Sequence, residues 1–273
     1  MTSLSAWHSR FLLLSLLVAL SGCAGPRADL APVRALAADG KGLQAFGELS
    51  QRQLDSYQRL RPYLSPAQDA RERQLDAQRR AMQADVAHLL QAVRLYLQAL
   101  GRLAGADAYD VQSELGSAAS AIRAWPGSGI DDRQVTAYAM LLQQLSRLAG
   151  TSAQQASVAQ ALHAGDAPLQ ALLAALDDLL RLYDKGSDNE RDIVLGLLET
   201  EIAYADTPQQ RLLSVLAKGM QQSKSEEYRL AGLHHTLARR HLAALAREHA
   251  RLAGIVTEAT WTTASSPNAA KRP

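Results

Sequence analysis

Four histidines, His234, His235, His241 and His249, crowd a Leu- and Ala-rich stretch near the C-terminus. Imidazoles on a helix invite a metal. One ion held from one helix needs ligands three or four residues apart, so that both side chains reach it. None of the four has a His, Asp or Glu at that offset. His234 and His241 share a face, but two turns, about 10 Å, separate them. They fall on a stripe with Leu230, Leu237, Leu245 and Leu252, so they read as histidines at the margin of a packed face. Asp85 and His88 form a carboxylate–histidine pair at i, i+3. Di-iron bundles use two Glu-x-x-His motifs and two further carboxylates, which one such pair does not supply. No His-Glu-x-x-His, Gly-x-Ser-x-Gly or phosphate-binding glycine loop is present, and Gly127-Ser128-Gly129 reads as a turn. The expectation is no metal, no cofactor and no catalytic residue: not an enzyme. Arginines gather at Arg71, Arg73, Arg79 and Arg80 and again at Arg239, Arg240, Arg247 and Arg251. Guanidinium groups engage phosphates and carboxylates, but neighbouring Asp and Glu offset the field, and these read mainly as solvated helix faces.

Cys23 is the only cysteine. His8 and Arg10 precede a ten-residue apolar run, Phe11 to Leu20, broken only by Ser15; Leu20-Ser21-Gly22-Cys23 follows. A helical run of that length covers about 15 Å, half a bilayer core, and suits a signal peptide better than an anchor. The tetrapeptide resembles the lipobox of bacterial lipoprotein signals. That resemblance covers residues 1–23 and implies a diacylglyceryl group on the Cys23 thiol, cleavage before Cys23 and acylation of the new amine, as by palmitate. Ala24 and Gly25 follow, with no Asp; in enteric-type envelopes this implies sorting to the outer membrane, the domain facing the periplasm. A lipidated Cys23 leaves no free thiol for chemistry and no disulfide, so the mature chain must rely on its core.

Nearly half of the chain is apolar yet only 5% is aromatic, and Leu, Ala, Gln and Arg predominate. Such an excess of helix formers argues for an all-α fold. The formal charge of +2 gives no pull toward nucleic acid. Residues 23–42 hold Pro26, Pro32, Gly40 and Gly42 and read as a lipidated tether, with at most a helical turn near Arg34. A helical domain is expected over 43–260, and 261–273 reads as a disordered tail.

Within that domain, the first helix is expected over 43–60. The second is the clearest: Leu75, Met82, Val86, Leu89, Val93, Tyr96, Leu100 and Leu103 make a seam of coiled-coil type, with Arg79 its one polar intrusion. It should run about 38 residues and stop at Gly105. A third helix carries Val111, Leu115, Ala118, Ile122 and Trp125, and Pro126-Gly127-Ser128-Gly129 marks a candidate subdomain hinge at 126–130. Asp131 or Asp132 caps a fourth. Shorter helices then follow, opened by Thr151 with Gln154, Gly165-Asp166, Ser187 with Glu190 and Thr207-Pro208, and Ser223 with Glu226 opens a last long helix to about Glu258. The sum is a multi-helix bundle of about eight or nine helices, the long ones amphipathic and coiled-coil-like.

The function this pattern implies is that of a lipid-anchored envelope protein, a helical interaction or scaffold module that acts by contact with a protein partner or with itself. The alternative is a periplasm-facing binding module for a lipid, peptide or cell-wall fragment, with Arg79 as an anion contact.

Overall fold

The structure, a computed structural model, describes residues 30–105, 120–149, 155–203 and 207–264. The signal segment, Cys23, the third-helix positions Val111, Leu115 and Ala118, the Thr151–Gln154 capping box and residues 265–273 lie outside them. The described residues are helical, with no strand beyond one bridge, Trp125 to Ile130. No helix among them is long and apolar enough to cross a membrane.

The chain begins with α1 (Ala31–Asp39). Pro32 sits in its first turn, where a missing N–H costs nothing, and Val33 and Leu36, three apart, are buried. The expected tether is therefore structured from residue 31. A 3-10 turn over Gly40–Leu43 leads into α2 (Gln44–Leu54) and α3 (Ser56–Leu60), so the expected 43–60 helix breaks at Asp55. Ser65 opens α4 (Pro66–Leu103, 38 residues) with a capping box to Gln68. Helix α4 has the predicted ends: Gly105 beyond it takes φ +81°, a conformation suited to glycine. Its seam is buried from Val86 to Leu103, whereas Leu75 is exposed and Met82 half-buried.

Residues 120–131 are not helical, so Ile122 and Trp125 are not on a third helix. The segment expected as a hinge, 126–130, is a turn tied back to the bundle. The Trp125 N–H donates to the Ile130 carbonyl at 2.7 Å, Ile130 is buried, and the Trp125 indole donates to Asp85 on α4 at 2.6 Å. One core cluster runs from Val33 to Ala253 across this turn. Asp131 caps α5 (Asp132–Ala149), accepting from Arg133 N at 2.8 Å.

Two long helices complete the bundle, α6 (Gln155–Ala203, 49 residues) and α7 (Pro208–Ala264, 57 residues). The expected breaks at Gly165-Asp166, Ser187 and Ser223 are absent, so there are fewer helices than eight or nine among the described residues. Gly and Pro inside a helix cost about 1 and 3 kcal/mol, yet α6 passes through Gly165, Pro168 and Gly186. An unbroken buried stripe (Leu162, Leu169, Leu172, Leu176, Leu179, Leu180, Tyr183) outweighs them. Thr207 does cap α7, its hydroxyl accepting from Gln210 N at 3.2 Å.

Helix α6 is central: it packs along α7 and also meets α5, α4 and α2. The start of α1 lies at one end of the bundle, where Arg34 donates to the carbonyl of Ala104, just past α4. The α6–α7 hairpin tip lies toward the other, where Tyr63, just before α4, donates to the Met220 sulfur. With 38 residues in α4 between them, the two ends stand roughly 55 Å apart. The described core, Val33 to Ala253, lies downstream of Ala24.

Candidate functional site

The buried face of α7 is Tyr228, Ala231, His235, Ala238, Leu242, Leu245, His249 and Leu252. Of the expected stripe, Leu245 and Leu252 fall on this face, whereas Leu230, His234 and Leu237 are exposed. Alanines let α7 approach α6 closely, and the seam histidines find carboxylates there. His235 Nδ1 lies 3.0 Å from Asp184 Oδ1, and His249 Nδ1 lies 2.9 Å from Asp166 Oδ1. His241, at the margin, reaches the Asp39 carbonyl at 3.0 Å and ties α1 to α7.

The Tyr96 hydroxyl lies 2.9 Å from His249 Nε2 and 3.0 Å from the Ala161 carbonyl, two acceptors for its one proton when His249 is neutral with its N–H on Asp166. Gly165 is what permits this: a β-carbon there would collide with the Tyr96 ring and hydroxyl. The Asp166–His249–Tyr96 chain has the order of a catalytic relay, but Tyr96 and His249 are 0% exposed and no substrate could reach the hydroxyl. Burial pushes both imidazoles below the ordinary histidine value, against the raising pull of Asp166 and Asp184. Burial also pushes the Tyr96 phenol far up. The relay is a tie between α4, α6 and α7.

A second polar cluster sits nearer the tip. Glu190, read from sequence as part of a capping box, is buried at mid-helix. It accepts from Ser56 at 2.8 Å, from Arg59 Nε at 2.8 Å and from Tyr228 at 3.1 Å. It thus joins α3, α6 and α7. Desolvation first, and the Glu190 charge second, raise the Tyr228 phenol. No sequence signal marks Glu190, because its partners lie on other helices.

Asp85 and His88 do not act together. Asp85 holds Trp125, and Arg123 stacks 5.0 Å over that indole, whereas His88 Nδ1 is enclosed without a partner among the described residues. Gly127-Ser128-Gly129 is a turn: Gly127 and Gly129 take positive φ, and the Ser128 hydroxyl donates to the Trp125 carbonyl at 2.7 Å. Among the described residues no three His, Cys, Asp or Glu side chains gather into a metal site. Of the arginines, Arg73, Arg80 and Arg251 pair with carboxylates one turn away, and Arg239 pairs with Asp177 across the α6–α7 seam. Arg79 differs: it is largely buried, meets Glu72 at 3.5 Å, and lines a cleft of about 580 Å³ between α3, α4, the 125–128 turn and α6.

The remaining surface of note is the tip. Leu212, Leu213, Val215, Leu216 and Met220 are all exposed, Leu212 at 65%. At 100° per residue they form an arc about 160° wide on the side of α7 facing away from α6. Ala217 and Tyr228, on the inner side, belong to a small cluster with Leu60, Val194 and Leu198. The chain matches no family model, no curated protein and no solved structure. The site therefore has to be read from its own geometry.

Proposed function

We propose that this chain is a lipid-anchored envelope protein that holds a contact surface, the α6–α7 tip, at a distance from its membrane. The observation that carries the reading is the placement of two ends. If Cys23 is acylated, the bilayer lies within about 25 Å of Leu30, the reach of seven extended residues. The tip lies roughly 55 Å off, at the far end of α4. Five exposed apolar side chains there exceed what a solvated helix end needs. With the bundle upright on its tether, they stand clear of the anchoring membrane. Leu212, Leu213, Leu216 and Met220 have the i, i+1, i+4, i+8 spacing of a helix that lies in a partner's groove. Exposed Arg211 and Lys218 flank them, so the fitting partner is a protein with an apolar groove and an acidic rim.

Five side chains suit a reversible contact better than a stable interface, which buries roughly 800 Å² per partner. The test is a photo-crosslinking residue at Leu213 or at Ile255, in the lipidated protein in native membranes. A single crosslinked protein at 213, absent at 255 and lost with Leu212→Glu/Leu216→Glu, is the expected result. No product at 213, or a product of two copies of this chain, would overturn the reading. The anchor has its own check: an intact mass showing Cys23 unmodified, or Met1 retained, removes the placement.

A further inference from the structure

We infer that the cleft around Arg79 binds a small amphiphile with one anionic head. This does not depend on the contact role of the tip. The cleft, of about 580 Å³, is of a size that takes small ligands. Its charges do not cancel. Glu72 on α4 is buried and faces Arg79 at 3.5 Å, a long contact that leaves most of the guanidinium donors unused. Arg79 Nε is shut off from solvent and has no partner among the described residues. Lys185, on the facing α6 wall, has no ion-pair partner among the described residues either. The lining thus carries two cations against one carboxylate.

A guanidinium keeps its charge at any physiological pH, and a buried cation with idle donors is costly until an acceptor reaches it. The rest of the wall is uncharged and in good part apolar: Leu75 and Leu182 stand exposed and Trp125 is half-buried, with Gln53, Gln78 and Asn189 among the neutral polar side chains. An alkyl body lying on Leu75, Leu182 and the indole, with its head between Arg79 and Lys185, meets both demands. The head chemistry is a carboxylate or a phosphate monoester, as in a fatty acid or a lipid fragment.

The test uses the chain from Ala24 onward with Trp261→Phe, which leaves Trp125 as its one indole. Trp125 emission is titrated with decanoate and decyl phosphate, below their micelle concentrations. Acetate, inorganic phosphate and decanol serve as head-only and tail-only controls. Saturable binding of at least one anionic amphiphile, with each control at least tenfold weaker, is expected. The preferred head then distinguishes a carboxylate from a phosphate ligand. Arg79→Gln should weaken binding about tenfold or more, as loss of a charge-assisted hydrogen bond does. Should Arg79→Gln misfold by circular dichroism, Lys185→Gln on the surface gives a several-fold loss and Leu182→Asp a larger one. Leu212→Glu/Leu216→Glu should leave binding unchanged. The inference is overturned if neither amphiphile saturates, if decanol binds as tightly, or if the cleft variants bind like the parent.

Discussion

Along α7 the same helix is treated in two ways. From Tyr228 to Leu252 its buried face is built of Ala, His and Leu, and the histidines are tied to Asp184 and Asp166 of α6. From Leu212 to Met220 the richest apolar arc of the helix is left to solvent. In the first region the bundle supplies neighbours, and small residues allow close packing with satisfied polar groups. In the second α6 runs alongside and, among the described residues, only the Leu60–Leu64 segment joins it, so one side is covered. Burial followed the number of neighbours, and hydrophobicity only set which residues could profit.

That contrast can be broken most severely at Glu190. Glu190→Ala would strand Arg59, Ser56 and Tyr228, and an urea titration should show a loss of about 3–5 kcal/mol, the usual effect of removing one partner of a buried pair. Full stability in this variant would mean that the polar ties do not hold the tip half to the bundle.

A milder blow falls on the relay. Gly165→Ala puts a methyl into the Tyr96 hydroxyl, and overpacking of this kind costs about 1–3 kcal/mol. Gly196→Ala, whose β-carbon meets nothing within 4 Å, is the control and should be neutral or slightly stabilising.

Acid should sharpen the comparison further. Burial holds His235 and His249 below the ordinary pKa near 6.5, so the unfolded chain binds more protons than the folded one. Stability from this source is therefore complete above about pH 6.5 and falls as the pH drops, until the folded-state pKa values are reached. Each histidine contributes at most about 1.4 kcal/mol per pH unit. Thermal melts at pH 7.5, 6.5 and 5.5 should trace the loss, and His249→Gln should flatten it; an unchanged Tm across that range would refute the buried neutral histidines.

The smallest effect belongs to the exposed stripe. Leu230→Gln and Leu237→Gln should each stay within about 0.5 kcal/mol of the parent, since Leu237 is 59% exposed. In the same assay Leu245→Ala, at the buried face, should lose about 2–5 kcal/mol. Equal losses would mean that Leu230 and Leu237 are packed against the bundle as Leu245 is.

Some of this was legible residue by residue. The ends of α4, the Asp131 and Thr207 caps and the turn at Gly127–Gly129 depend on dihedral preferences and hydrogen bonds within a few residues, and they came through. Ser187 with Glu190 and Ser223 with Glu226 have the same local form as real caps, yet both lie inside continuous helices. Local signals propose an end, and at Ser187 the packing of α6, with Tyr183, Glu190 and Val194 buried on either side, overrules it. Arg79 stood out as an intrusion in the α4 seam, and it does line the cleft; Lys185, Trp125 and Leu182 were invisible as its neighbours, because they come from two other parts of the chain.

The sequence by itself determined that the described chain is helical, since Leu, Ala, Gln and Arg favour that backbone whatever they touch. It also determined where α4 runs and where α7 begins. The tertiary structure decided which face of α7 is inside, that α6 runs straight through Gly165 and Pro168, and that Asp166, Asp184 and Glu190 meet partners on other helices. Helix propensity is a property of each residue in its own turn. A choice of face is a competition between surfaces, decided by whichever neighbour fits best.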